Sequence, residues 1–170
     1  MISGKMIKSL NHQINREIYS GYFYLGMASW AAEQGLNGVA NWFQVQLQEE
    51  LSHAQKFYNY IVDQGGRVLL EAIEQPAQDF SSPLDLFEKT LEHEKKVTAL
   101  INGLVKQARE ENDTATEIFL QWLVTEQVEE ESNANDLIQR FKLVGKDGSG
   151  LLMVDGELAA RVFTPPAAAE

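Results

Sequence analysis

Residues 65–81 read GGRVLLEAIEQPAQDFS, from Gly65 to Ser81, and the fold turns on them. Gly65-Gly66 stop one helical period, and Ser82-Pro83 open the next with a capping hydroxyl and a proline at the first helical position. The 17 residues between are more than a turn needs. They suffice to carry the chain along the length of a helix bundle, with Arg67–Ile73 extended along its outside.

Outward from this connection the periodicity is helical. One segment runs from about Lys5 to Gln34 and ends at Gly35, and a second runs from Gly38 to Gln64. A third runs from Pro83 to about Asn112, and a fourth from Asp113 or Thr114 to Val144. Each spans about 28 residues, or about 42 Å at the helical rise. Four helices of matched length predict an all-α, antiparallel four-helix bundle, with short turns inside each pair and one long crossover between pairs. After Gly150, GLLMVDGELAARVF predicts a short fifth helix, and Pro165-Pro166 introduce a tail at 165–170. Residues 1–164 read as one domain.

A net charge of −11 argues against nucleic acid as a partner and suits a surface that gathers cations. With no cysteine, a metal has only imidazole and carboxylate ligands, which favours harder cations such as iron or manganese. The N-terminus lacks the apolar core of a signal peptide, and no window is long and apolar enough to span a membrane. The expectation is a soluble cytoplasmic protein. Met1, Met6, Met27 and Met153 form no cluster that suggests a haem or copper site.

Each helix has an apolar stripe, and each stripe carries a glutamate near its middle. The first reads Ile7, Leu10, Ile14, Glu17, Gly21, Tyr24, Ala28; the second Ala40, Phe43, Leu47, Glu50, Ala54, Phe57, Ile61. The third places Glu94 between Leu91 and Ile101, and the fourth places Gln127 and Glu130 between Leu123 and Ala134. In antiparallel helices of equal length the four glutamates meet in one layer. Buried carboxylates are costly and repel one another, and no lysine or arginine shares these stripes, so a metal resolves the cost. Glu50-Leu-Ser-His53 adds an imidazole one turn along. In di-iron bundles a glutamate from each of two helices joins a Glu-x-x-His from each of the other two. Here the second motif is replaced by Gln127-x-x-Glu130. One ion then takes Glu17, Glu50 and His53; the other takes Glu50, Glu94 and Glu130, with the Gln127 amide as a weaker ligand, and is held less tightly. His12 and His93 fall off this layer and read as surface residues, and the Glu126/Glu129/Glu131 run reads as a solvated acidic face.

At Glu17, Tyr24, Glu49-Glu50, His53, Glu94, Trp122 and Glu126–Glu130 the chain resembles the bacterial non-haem ferritins, over nearly its whole length. The resemblance implies a ferritin-like fold and a hollow homo-oligomeric shell of twenty-four subunits. It also implies a ferroxidase in which Fe(II) is oxidised by dioxygen or peroxide at a dinuclear iron centre within each subunit and stored as ferric mineral. It further implies a third iron site from Glu49, Glu126 and Glu129 with Glu130 shared, an electron-donating role for Tyr24, and a fifth helix lining channels. Ser52 stands where haem-binding relatives carry a methionine, so no haem is expected. Two other readings remain: a metal-free helical assembly protein, and a di-iron oxygenase acting on an organic substrate, which the missing second histidine disfavours.

Overall fold

The computed structural model describes residues 2–165. Five helices follow one another: α1 (Gly4–Glu33), α2 (Asn37–Asp63), α3 (Pro83–Glu110), α4 (Thr114–Val144) and α5 (Gly148–Leu158). No strand occurs among the described residues. The architecture is the four-helix bundle with a short fifth helix that the periodicity predicts. The predicted tail lies, apart from Pro165, outside the described residues. Among the described residues no helix is long and apolar enough to cross a membrane.

Side-chain caps set the starts of four helices. The Ser3, Ser82 and Asp113 side chains accept from Met6 N, Asp85 N and Thr116 N, and Asp147 accepts from both Ser149 N and Gly150 N. Leu36, at the start of α2, cannot do this. Its helix is capped from a distance: Asp155 Oδ1 on α5 accepts from Val39 N at 2.8 Å.

α1 packs along α2 and α3 along α4, and α5 lies across α2 and α4. The crossover has no regular structure and is bound to α1 by buried amides. Asn11 donates to Arg67 O and accepts from Leu69 N, and Asn15 donates to Ala72 O at 3.0 Å. These bonds satisfy backbone groups that an extended segment otherwise leaves to water.

Two apolar clusters fill the bundle. One, at the α5 end, contains Tyr24, Met27, Phe43, Phe87, Phe141 and Leu158; the other contains Leu10, Ile14, Phe57, Ile61, Ile101 and Leu120. On every long helix the gap between the clusters falls at the predicted glutamate.

α5 differs in detail from the predicted segment. It begins two residues earlier, at the Asp147 cap, and ends at Leu158, so Arg161-Val162-Phe163 are not helical. Asn41 of α2 explains the stop, because its Nδ2 donates to Leu158 O at 3.2 Å and Arg161 O at 2.9 Å. Gly38 explains the close docking: a Cβ there would lie 1.6 Å from Asp155 O. Gly38→Ala improves helix propensity by about 1 kcal/mol but forces α5 away, which costs about 1–3 kcal/mol as overpacking and also breaks the Val39 cap. The expected net result is a lower thermal midpoint and faster amide exchange confined to residues 148–158. An unchanged midpoint with unchanged exchange contradicts this account of α5.

Candidate metal centre

Glu17, Glu50 and His53 are buried to 1%, 4% and 5% exposure, and Gly21 makes room for them to meet. A Cβ at Gly21 would press to 3.1 Å on Leu47 Cδ1 and sit 3.6 Å from Glu50 Cβ, so glycine lets α1 approach α2 at this height. The two carboxylates and the imidazole each offer a ligand atom, all within 4.8 Å of one another. They are the one such group among the described residues. His53 Nδ1 is 3.6 Å from both Glu17 Oε2 and Glu50 Oε2. The Trp122 indole packs against the imidazole with ring centroids 5.2 Å apart, and Lys56 Nζ lies 3.8 Å from the indole's own centroid.

The electrostatics show how this chain tolerates the cluster without metal. Burial disfavours charge on His53, yet the flanking Glu17 and Glu50 carboxylates raise its pKa well above the usual imidazole value. Burial likewise pushes Glu17 up, but His53 and hydrogen bonds from Glu50 and Gln13 leave it lowered overall. Glu50 is raised well above the normal range by burial, with Glu17 and Glu94 adding repulsion. The shifts favour a charged His53 and Glu17 and an uncharged Glu50.

The second half of the layer is equally buried but is held by amides and a phenol. Tyr24, fully buried, donates its hydroxyl to Glu94 Oε1. Gln127 Nε2 donates to Glu94 Oε2 at 3.0 Å and to Glu94 O at 3.2 Å. Gln46 Nε2 donates to Glu130 Oε2 at 2.9 Å. Burial first, then repulsion from Glu94 and Glu49, pushes Glu130 up to about 8. Burial also raises Glu94, and burial with the Glu94 charge keeps Tyr24 protonated. Glu50, Glu94 and Glu130 thus share the layer, but their ligand atoms do not converge as those of the first group do.

The residues of the third expected site are looser still. Glu49 is partly buried and paired with Arg161, Glu126 is partly buried, and Glu129 is exposed. They do not form a group at metal-ligand spacing.

Two residues bearing on the layer went unread in the sequence although the signal was there. Gln13 stands one turn before Glu17 and donates to its Oε1 at 2.6 Å; Gln46 stands one turn before Glu50. For Gln13 the i−4 spacing on the same ridge is the mark of a supported carboxylate, whereas Gln46 reaches across to Glu130 of α4 instead. His12 is exposed, as expected. His93, expected at the surface, is half-buried, because α1 covers one side of it. Its Nε2 lies 2.8 Å from Ser20 Oγ, and the rings of Tyr19, Phe23 and Tyr24 stand within 6 Å of it. Burial lowers its pKa to about 4, so it is neutral at pH 7.

Comparison with known proteins agrees with this architecture. Residues 7–144 match the family described as Ferritin-like domain. The bacterial non-heme ferritin of Campylobacter jejuni is 41% identical over 155 residues, which cover 91% of this chain and 93% of that protein. The bacterial non-heme ferritin of Staphylococcus aureus is 39% identical, over 96% of this chain and 98% of its own. Among solved structures, a closed form of the Archaeoglobus fulgidus ferritin made by site-directed mutagenesis superposes with a TM-score of 0.95. It is 51% identical and covers 96% of this chain and all of its own. With the match, the shared length and the superposition all pointing one way, the chain belongs to the ferritin-like family, beside the bacterial non-haem ferritins.

Proposed function

We propose that this chain stores iron and acts as a ferroxidase, oxidising Fe(II) at the buried carboxylate layer. Membership among the non-haem ferritins supports the storage role. The observation that carries the oxidase reading is the Glu17/Glu50/His53 group, three buried ligands at metal spacing beside a second buried pair, Glu94 and Glu130. Iron is the substrate and cargo. One Fe(II) takes Glu17, Glu50 and His53, displacing the protons on His53 and Glu50. A second takes Glu50 as a shared ligand with Glu94 and Glu130, with the Gln127 amide alongside. Each ion gives up one electron. Dioxygen accepts the two with two protons to form hydrogen peroxide, or peroxide accepts them with two protons to form two waters. Carboxylates around the ions favour the more highly charged Fe(III). Where only one ion is in place, Tyr24 supplies the second of the two electrons, its proton passing to Glu94, to which it is hydrogen-bonded.

The second half holds its ion against the hydrogen bonds of Tyr24, Gln127 and Gln46, which suits a site that iron leaves for storage. Glu49, Glu126 and Glu129 with Glu130 form the next stop, towards the interior of a twenty-four-subunit shell in the cytoplasm. A metal-free helical assembly is the competing reading, and the His53 imidazole lying between two carboxylates, which raise its pKa, is the observation in its favour. Elemental analysis of the purified protein separates the two, since the second reading requires no tightly bound metal and no Fe(II)-dependent oxygen uptake.

Three outcomes are expected. Aerobic addition of many Fe(II) equivalents per chain to the assembled protein gives soluble ferric mineral; oxidation that stops at about two irons per chain, one filling of the dinuclear site, contradicts storage. His53→Ala and Glu50→Ala lose the rapid phase of oxidation by more than the ~10–100-fold typical of a ligand's outer partners; a retained phase refutes the site.

The third concerns pH. A Glu130 pKa of about 8 means that an ion binding there at pH 7 displaces a proton. Zinc affinity of the second half should therefore rise about tenfold per pH unit up to about 8 and then level off. Stability of the metal-free chain runs the other way. A carboxyl whose folded pKa is raised binds more protons folded than unfolded, so its contribution is lost as pH rises through about 8. The metal-free protein is then less heat-stable at pH 9 than at pH 6, zinc reverses the trend, and Glu130→Gln flattens both curves in calorimetry.

A further inference from the structure

Arg161 belongs to none of the four long helices, yet its charge reaches the edge of the carboxylate layer. Its Nη2 donates to Glu49 Oε2 at 2.7 Å, across 112 residues of sequence. Its Nη1 donates to Trp42 O at 3.3 Å, and its guanidinium carbon stands 4.7 Å over the Trp42 ring. Asn41 holds the Arg161 carbonyl from behind at 2.9 Å. Both side chains of the ion pair are about three-quarters buried, at 23% and 25% exposure. One turn before Glu50, the fully buried Gln46 donates to Glu130 and leaves its Oε1 without a hydrogen-bond partner. That oxygen is an acceptor with neither donor nor cation.

We propose that Arg161 is a tethered cation standing in for metal at the inner carboxylates, and that an ion arriving at Glu49 and Glu130 must displace it and thereby free the segment after α5. The inference rests on the third subsite of the proposed function. Arginine keeps its charge at any working pH, so it cannot yield by losing a proton, as His53 can. It can yield only by moving, because an ion bound through Glu49 repels a guanidinium held on the same carboxylate and competes with it for Oε2. The Trp42 face and carbonyl give it a second berth when it lets go. The arriving ion gains Glu49 and Glu130, beside the side chain of Gln46, which bonds Glu130 and keeps an unpartnered oxygen. Occupancy of the inner subsite is thereby set against an ion pair made by the C-terminal segment. A purely structural Arg161–Glu49 pair has no reason to respond to metal.

The test uses the assembled, metal-free protein and Zn(II), which does not change oxidation state. Calorimetric titration of wild type, R161Q, R161K and E49Q is paired with hydrogen exchange of residues 159–163. In wild type, saturating zinc should speed exchange in that segment about tenfold. R161Q should bind the weakest ion about tenfold tighter, the scale of one partly buried charge pair removed, with the tightest ion unchanged. R161K should fall between, and E49Q should lose both the weak ion and the zinc-dependent exchange. Unchanged weak-ion affinity in R161Q, or zinc-independent exchange in wild type, overturns the proposal. So does absence of any weak ion from both wild type and R161Q. Should R161Q fail to assemble, R161K and the wild-type exchange decide alone. Failure of the metal centre itself looks different: wild type then binds no zinc tightly and matches Glu50→Ala.

Discussion

Desolvation of carboxylates is the constraint on which the rest of the molecule depends. Glu17, Glu50, Glu94 and Glu130 are each at most 6% exposed, in a layer with an apolar cluster above and below. Nothing in such a layer screens one carboxylate from the next, so the site persists only if positive charge or protons come with it. In the metal-free chain they are the proton on His53, the protons retained by Glu50 and Glu130, and, from the edge, Arg161. Each of these is removable, the first three by deprotonation and the last by movement.

Much of the architecture follows from delivering four side chains to that height. Helices of 30, 27, 28 and 31 residues bring mid-helix positions level when they pack side by side over their full lengths. The crossover then has to return the chain along the bundle without regular hydrogen bonding. Asn11 and Asn15 supply what its backbone lacks, and they sit on α1, the helix that also carries Glu17.

Legibility in the sequence divides along contact range. Helix ends were readable because their causes are local: Ser82 before Pro83, Asp113 before Thr114, glycine pairs at turns. The glutamate layer was readable because each residue interrupts an apolar period on its own helix. His93 was misread because the period of α3 places it beside Glu94 on the flank, and a flank is solvated or covered according to what lies opposite. Here Tyr19, Ser20 and Phe23 of α1 lie opposite, about 73 residues away in sequence. Arg161 was invisible for the same reason, since only the docking of α5 against Gly38 and Asn41 brings it to Glu49. The long-range amides and cations cannot be ordered by period, because no period connects them.

The asymmetry of the layer follows from two exchanged side chains, Gln127 and Glu130 in place of a second Glu-x-x-His. An imidazole at the Glu130 position, or a carboxylate at Gln127, gives the second half the same kind of group that gathers the first. Gln127 instead spends its amide hydrogens on Glu94, whose other oxygen receives the Tyr24 hydroxyl. A carboxylate already serving two donors is a poorer ligand, and an incoming ion must compete with both. In the proposed oxidation the same arrangement has a use: the phenol nearest the irons is joined to a ligand that can accept its proton. The weaker grip on the second ion and the route open to the Tyr24 proton once the phenol has been oxidised are then two effects of a single hydrogen-bonded glutamate.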